Sequence, residues 1–483
     1  MKIKHALRVY NTLTKKKDLI KPLKKKKINL FVCGPTVYDF SHIGHAKTYI
    51  PFDAFVKYLR FIGFDVFYLQ NITDVDDKII QRARERGVPA KDLAIAFEKE
   101  YLKDIRALGV NSVSKYAKAT SYIKEIISQV KRLEKKGIAY EIGGDGIYFN
   151  IAKFKNYGKF AGRTISGAQN ATSRIDYSVQ KINRGDFCLW KFSQMEGEPK
   201  WKSPWGNGRP GWHIEDTAIT EKFFGSQYDI HGGAIELIFP HHQAEISQME
   251  SISGKTPLVK YWMHTGLLTV GGQKMSKSLG NFITISDFLK RFTKEQIRFL
   301  ILKTLWSSPV DYSESAMMEV KGALEKIEEF IRKIQKTKSE TLNKSKIQNK
   351  KFKTLLVKAK INFYKNLDDN FNTPKAFATL FDFIKDINII LEQKQQKQFM
   401  QISKTQAKEI YNFFVEINKI FGIINFSKTK KQNIPEEIKR LASMRKTARQ
   451  NKDWQKSDEI RNEITKLGYV VKDTQSGPVI EKN

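Results

Sequence analysis

Two kinds of apolar pattern alternate near the start of the chain. INLFVC (28–33) is a short, mainly apolar run closed by Gly34-Pro35, the pattern of a strand with a turn behind it. TYIPFDAFVKYLRFI follows, with Ile50, Ala54, Tyr58 and Ile62 at the spacing of one helix face and Gly63 as its stop. DVFYLQ (65–70) is the next strand run, followed by NITDVDD. Strand, helix and strand joined by short turns predict an α/β fold with a doubly wound parallel sheet. Ligands of such sheets lie beyond the carboxyl ends of the strands. Cys33 and Thr73 each fall just past a strand end, so both are candidates for one pocket. Pro51 either opens the main helix at its first turn or interrupts one that began near Ser41.

From about 120 to 206 the pattern breaks into turn clusters (GGDG), short strands (GIYFN) and a Pro/Trp/Gly-rich stretch, PKWKSPWGNGRPGW, as expected of an insertion. YDIHGG and IELIFP read as strand material returning to the sheet. After about 313 the chain turns helical: Met317, Val320, Leu324, Ile327, Ile331 and Ile334 form one stripe at steps of three and four. Lys-rich joins (KTKSETLNKSKIQNKK) separate it from helical patterns around 352–392 and 404–424. A Lys/Thr/Gln linker at 427–433 precedes two more helices, the second ending at Gly468, and an extended tail, YVVKDTQSGPVI. No internal repeat is evident.

At 483 residues the chain exceeds one core, so two to four domains are expected. No run of about 18 uncharged apolar residues occurs, so no membrane span is expected. The N-terminal MKIKHALRVYNTLTKKK lacks the apolar segment of a secretory signal. Two cysteines cannot build a disulfide framework, which points to a reduced, cytoplasmic protein. The formal charge of +34 favours a polyanionic partner, nucleic acid first, although a general lysine bias or solvated loops such as KKKK (24–27) account for part of it.

Three stretches carry candidate chemistry. SHIGH places His42 and His45 at the opening of a helix, where free N–H groups and the positive helix end suit phosphate; a histidine pair is also a common surface or core accident. GGQKMSKSLGN (271–281) holds Lys274 and Lys277 on a glycine-hinged loop, where two ammonium groups can meet the charge of a departing pyrophosphate; an isolated K-x-x-K is by default a basic turn. In FPHHQAEISQ, His241 and Glu245 share one helix face at i, i+4, which is a half-site for zinc with Cys33 as thiolate, or a helix-surface pair. Asp74, Asp76 and Asp77 stand at a helix start, where acids serve more often as caps than as magnesium ligands.

The co-occurrence of HIGH and KMSKS, in that order on a doubly wound frame, resembles the class I aminoacyl-tRNA synthetases. FVCGPTVYD, NITDVDDKI, DFCLWK, SPWGNGRPGWHIE, YDIHGG, FPHH-x-x-E, NFNTP and the KDW…SDEIR…LG tail resemble the cysteinyl-tRNA synthetases over nearly the whole chain. The resemblance implies a Rossmann-type catalytic domain (1–120 and 207–256), a connective insertion (121–206), a KMSKS-loop and stem-contact region (257–318), a helical bundle (319–426) and a C-terminal anticodon-binding module (433–483). It implies a ligase that activates L-cysteine with ATP and magnesium and charges tRNA(Cys), acting as a cytoplasmic monomer. ATP contacts map onto His42, Gly44, His45 and Lys274, Met275, Ser276, Lys277 and Ser278, with Lys277 the principal lysine; His42, His45, Lys274 and Lys277 are the catalytic set. The amino-acid pocket maps onto Cys33, Gly34, Thr73, Trp212 and His231.

The family holds zinc with two cysteines, a histidine and a glutamate, and zinc can bind the substrate thiolate, which an alcohol matches poorly. Cys33, His241 and Glu245 match that pattern. Asp216, in GWHIED, stands where the family has cysteine, and Cys188 does not fill the gap. Asp216 is expected to ligate zinc directly, the other reading being an outer role orienting a histidine. Asp229, His242 and Glu250 are assigned no metal role. Trp454 offers either a stacking face for an unpaired base or packing for the last helix pair. Rival readings are a cysteine ligase acting on an amino sugar, which lacks the full C-terminal tail, and a non-catalytic RNA-binding paralogue, which has no need of HIGH and KMSKS.

Overall fold

The computed structural model describes residues 5–163, 178, 180–276, 279–340, 350–392, 402–427, 435–474 and 477–482. Its centre is a parallel five-stranded sheet. The strands are β1 (Lys27–Val32), β2 (Asp65–Ile72), β3 (Lys115–Lys118), β9 (Tyr228–Ala234) and β10 (Val259–Thr265), in spatial order β10-β9-β1-β2-β3. Strands β4 to β8 (Ala139–Ile142, Gly146–Phe149, Phe187–Phe192, Trp201–Ser203 and Gly206–Pro210) form a separate antiparallel sheet in the order β4-β5-β6-β8-β7. The order of the parallel sheet reverses between β1 and β9, where the two neighbours lead away in opposite directions and leave a crevice at their carboxyl ends. β1 is apolar throughout its carboxyl half because it is the middle strand, with Leu30, Phe31 and Val32 fully buried.

Helix α1 (Ile43–Phe61) rises from that crevice. It starts at Ile43 and runs through Pro51, so Pro51 lies in its interior and does not open it. Proline forgoes one helical hydrogen bond there. Two further helices, α2 (Asp77–Arg86) and α3 (Ala90–Ala107), separate β2 from β3. Helix α4 (Ile123–Lys135) precedes the antiparallel sheet, and α5 (Ile214–Phe224) and α6 (His241–Ser253) follow it. The antiparallel sheet runs to Pro210, and it shares one apolar core with the parallel sheet through Phe31, Leu69, Val130, Ile147, Leu189, Trp190, Ile214 and Trp262. The inserted segment is therefore packed into the domain.

IELIFP, read as strand from its apolar run, forms a 3-10 turn at Ile235–Ile238. A four-residue apolar run is compatible with either state, and here none of its residues is buried, so no sheet face requires it. Helices α7 (Ile285–Arg291), α8 (Lys294–Leu302), α9 (Glu314–Glu340), α10 (Lys350–Asp368), α11 (Thr373–Glu392) and α12 (Lys404–Phe421) complete the first part of the chain. The NFNTP turn between α10 and α11 places Asn370 at φ +64, a region asparagine tolerates, and its Oδ1 accepts from Tyr10 N at 2.7 Å.

Two compact units are resolved by their internal contacts: 1–327 with 337–424, and 328–336 with 425–483. In the second, α13 (Glu436–Gln450) and α14 (Trp454–Lys466) bury Ile438, Leu441, Ala442, Ile460 and Ile464 with Val471. Tyr469–Thr474 and Gly477–Lys482 pair as an antiparallel hairpin, which is the segment read as an extended tail. Among the described residues, no helix is long and apolar enough to cross a membrane.

Candidate active site and metal centre

Both strand-end residues lie at the β1/β9 switch point. Cys33 follows β1 and is held by its N–H to Gly232 O of β9 at 3.0 Å. Thr73 follows β2 and pairs with the Gly34-Pro35 turn, its N–H donating to Pro35 O at 3.1 Å. Gly34 cannot carry a side chain, since a Cβ would stand 1.7 Å from Asn71 O.

Around Cys33 the elements converge on a buried polar cluster. The ligand atoms of Cys33, Asp216 (α5), His241 and Glu245 (α6) all lie within 4.8 Å of one another. So do those of Cys33, His231, His242 and Glu245. Cys33 Sγ is 3.4 Å from Asp216 Oδ2, 3.3 Å from His231 Nε2 and 3.2 Å from His242 Nε2. His241 Nε2 lies 3.0 Å from Asp216 Oδ2 and 3.2 Å from Glu245 Oε1. Outer partners orient the rings: Tyr228 OH meets His231 Nδ1 at 2.7 Å, His264 Nε2 meets His242 Nδ1 at 2.8 Å, and His213 Nδ1 meets His241 Nδ1 at 2.8 Å. Trp212, only partly covered, stacks on His241 with centroids 4.4 Å apart.

The electrostatics are dominated by burial and by the acids' action on one another. Burial first, then Asp216 and Glu245, push the Cys33 thiol well above its usual range. Burial, with Asp216 behind it, pushes the Glu215 and Glu245 carboxyls up. Burial drives His213, His231 and His242 well down. Asp216 Oδ1 and both Glu245 oxygens are buried with no partner in hydrogen-bonding geometry, although His241 stands 3.2 Å from Glu245 Oε1 and His231 3.5 Å from Glu245 Oε2. Neutral imidazoles, a thiol and carboxylates with spare lone pairs in one dry cluster fit a divalent cation.

The second site begins at the mouth of α1. His42 is its N-cap; His42 Nδ1 accepts from Gly44 N at 3.1 Å while His45 Nδ1 accepts from His42 N at 3.1 Å. Both rings therefore present Nε2 as the protonated nitrogen when neutral, and burial holds the His45 pKa well below its usual value. A Cβ on Gly44 would stand 2.7 Å from the His42 ring and 3.4 Å from Met275 Cε. Residues after the lysine loop bind the same helix start: Ile43 N donates to Ile283 O at 3.1 Å, and Ile285 N to Ser41 O at 2.9 Å. Lys274 pairs with Glu236. Lys277 and Ser278 lie outside the described residues. Tyr49 joins the two sites, its OH donating to Cys33 O at 3.3 Å while its ring stacks on His45 at 6.4 Å.

The acids of NITDVDD are engaged locally. Asp74 accepts from Thr120 N and Oγ1, Asp76 caps α2 through Lys78 N, and Asp77 pairs with Arg209. His242, given no metal role from sequence, is among the nearest side chains to Cys33; its adjacency to His241 was the available signal. Trp454 is 56% exposed and lies outside the apolar core of the last helix pair, its ring meeting the Arg449 guanidinium of α13 at 5.3 Å.

Three family models match in succession: the tRNA synthetases class I (C) catalytic domain over 19–322, the DALR domain over 362–425, and the cysteinyl-tRNA ligase anticodon binding domain over 431–477. The chain is 41% identical to the cysteine–tRNA ligase of Thermococcus gammatolerans over 478 residues, covering 98% of each. It is 42% identical to that of Thermodesulfovibrio yellowstonii over 479 residues, covering 97% of this chain and 98% of the relative. Among solved structures, Mycobacterium tuberculosis methionyl-tRNA synthetase in complex with methionyl-adenylate shares the fold, with a TM-score of 0.62 at 15% identity over 82% of this chain and 89% of that one. The match to an anticodon-binding domain disfavours the amino-sugar ligase, and full-length similarity to ligases disfavours the non-catalytic paralogue. From the switch-point crevice to the last helix pair, the chain belongs to the cysteinyl-tRNA synthetases, a class I aminoacyl-tRNA synthetase family.

Proposed function

We propose that the protein activates L-cysteine with ATP to cysteinyl-adenylate and transfers the cysteinyl group to the 3′ end of tRNA(Cys). The observation that carries this reading is the buried Cys33–Asp216–His241–Glu245 cluster, one turn of chain from the HIGH motif. Those four residues are the ones that would hold zinc, the orphaned Asp216 and Glu245 oxygens being the basis of the fit. Bound there, zinc supplies a coordination position and a lowered thiol pKa for the substrate sulfur, which discriminates cysteine from serine where size alone cannot.

The chain's own groups do the rest. His42 and His45 offer Nε2–H donors to the ATP phosphates at the α1 N-terminus. Gly44 keeps the helix start bare so that the nucleotide can approach. Lys274 and Lys277, with Met275, Ser276 and Ser278, bring positive charge to the pyrophosphate as it leaves, and magnesium arrives with ATP. Thr73, Trp212 and His231 line the amino-acid pocket with Cys33 and Gly34. Trp454 and the basic helix α13 take the anticodon, unstacked bases being read by aromatic faces and edge contacts. The enzyme works as a cytoplasmic monomer.

Cysteine-dependent ATP–pyrophosphate exchange by zinc-loaded protein, followed by cysteinyl-tRNA formation, tests this. Exchange and charging together are expected. Absence of exchange refutes the enzyme, and exchange without tRNA charging favours the amino-sugar ligase.

A further inference from the structure

One buried acid in the amino-acid pocket has only one of its two carboxyl oxygens matched. Glu215 opens α5 beside Asp216 and is 1% exposed. Its Oε1 accepts from the Thr73 hydroxyl at 2.7 Å, and its Oε2 is buried with no hydrogen-bond partner. Among the described residues no lysine, arginine or histidine forms an ion pair with it; the charged groups acting on it are acids, Asp216, Asp76 and Asp74. A carboxyl oxygen buried without a partner is costly, so a cation delivered by a ligand is the natural complement.

Thr73 sharpens the chemistry. Its single hydroxyl proton is committed to Glu215, so toward the pocket it can offer only lone pairs, one of them weakly approached by Asn71 Nδ2 at 3.4 Å. Thr73 and Glu215 are therefore an acceptor-only pair. They suit a group that only donates, which an ammonium is and a carboxylate is not. The pair also lies near the sulfur-binding end: Thr73 is bonded to the turn that follows Cys33, and Glu215 is next in the chain to Asp216, which clusters with Cys33. In cysteine the thiol and the α-ammonium are two carbons apart.

We propose that Glu215 Oε2, with the Thr73 hydroxyl beside it, receives the α-ammonium of the substrate cysteine. This rests on the cysteine-ligase reading above. It makes Glu215 a specificity-determining residue that selects thiols carrying a neighbouring amine.

The experiment measures dissociation constants of the full-length zinc-loaded protein for cysteine, for cysteamine (thiol and ammonium) and for 3-mercaptopropionate (thiol and carboxylate). Glu215→Gln keeps the size and removes the charge. It is expected to weaken cysteine and cysteamine by ~10–100-fold and to leave 3-mercaptopropionate within about 3-fold. Glu215→Asp keeps the charge on a shorter arm and is expected to retain part of the cysteamine preference; it carries the test if the glutamine variant does not fold. An unchanged ratio of cysteamine to 3-mercaptopropionate affinity in the folded variants overturns the assignment, as does equal weakening of all three ligands. Failure of the wild-type protein to bind cysteine rejects the ligase reading and this assignment with it.

Discussion

Two clusters of buried charge sit in the same α/β region and are finished differently. Around Asp53, on α1, everything is matched. Its Oδ2 takes Arg298 at 2.8 Å and Lys57 at 2.7 Å, and its Oδ1 accepts from Asn111 N and Ser112 N, each at 3.1 Å. Arg298 spends its other donors on Phe421 O at 2.6 Å and Leu108 O at 3.2 Å. Burial raises the Asp53 pKa, but Arg298 and Lys57 outweigh it and bring the carboxyl below its usual value. Around Cys33 the chain gathers Asp216, Glu245 and Glu215, and among the described residues no lysine or arginine forms an ion pair with them; burial first, then Asp216, pushes the Glu215 and Glu245 carboxyls up. The first cluster joins α1 to α8 and to the end of α12 as architecture. The second is a group that could bind a metal, because acids crowded together in a dry interior repel one another.

The largest expected effect comes from breaking the matched cluster. Arg298→Met leaves Asp53 buried without its main partner and the Phe421 carbonyl without a donor. A loss of about 3–5 kcal/mol in denaturant unfolding is expected. A loss below about 1 kcal/mol would show that the cluster does not hold these helices. The wild-type contribution has a defined pH window. A carboxyl whose folded pKa is depressed stabilises above its unfolded value, about 3.9, and loses that stabilisation as pH falls through the folded value.

The unmatched cluster should respond with opposite signs in two states. In chelator-treated protein, Asp216→Asn removes one of the mutually repelling acids and is expected to raise unfolding stability by about 1 kcal/mol. With metal present, the same change is expected to lower zinc affinity by more than ~100-fold, beyond the ~10–100-fold typical of an outer partner. Competition against a calibrated chelator reads the second arm, and unchanged affinity sinks Asp216 as a ligand. His241→Gln set beside His242→Gln separates the two overlapping donor sets, with the larger loss expected at His241.

The contrast also explains what could be read from sequence. Cys33 and Thr73 were legible because a strand-end position is local information, and the His241–Glu245 pair because i, i+4 is. Trp212, His231 and Asp216 came through family resemblance, since no spacing links GWHIED or YDIHGG to Cys33. His242 carries no metal role in the sequence reading, yet the fold brings Cys33 Sγ within 4.8 Å of a ring nitrogen of His241 and of His242 alike. Glu215 and Arg298 carried no signal: each acquires its meaning from a partner more than a hundred residues away, Thr73 and Asp53. Tertiary pairing of that kind is created by the sheet order, which strand and helix patterns do not specify.

A third case tests whether matching or mere burial governs stability. Lys47, on α1 between the HIGH motif and Asp53, is 1% exposed, and its Nζ donates to Trp306 O at 3.0 Å with no carboxylate opposite. Burial lowers its pKa from 10.5 to about 7. Between those two values the unfolded chain binds the proton and the folded protein does not, so stability rises with pH across that window and is lowest below about 7. At 1.36 kcal/mol per unit the full penalty is roughly 5 kcal/mol. Lys47→Met abolishes it but strands the Trp306 carbonyl, which returns part of the gain. The variant is expected to be more stable than wild type by about 2 kcal/mol below pH 7, with the difference falling above pH 7, crossing zero near about pH 8.5 and reversing from there to about pH 10.5. Unfolding curves at several pH values measure this. A difference that does not change with pH would mean the ammonium is already matched, and that Lys47 belongs with the Asp53 cluster instead of standing apart from it.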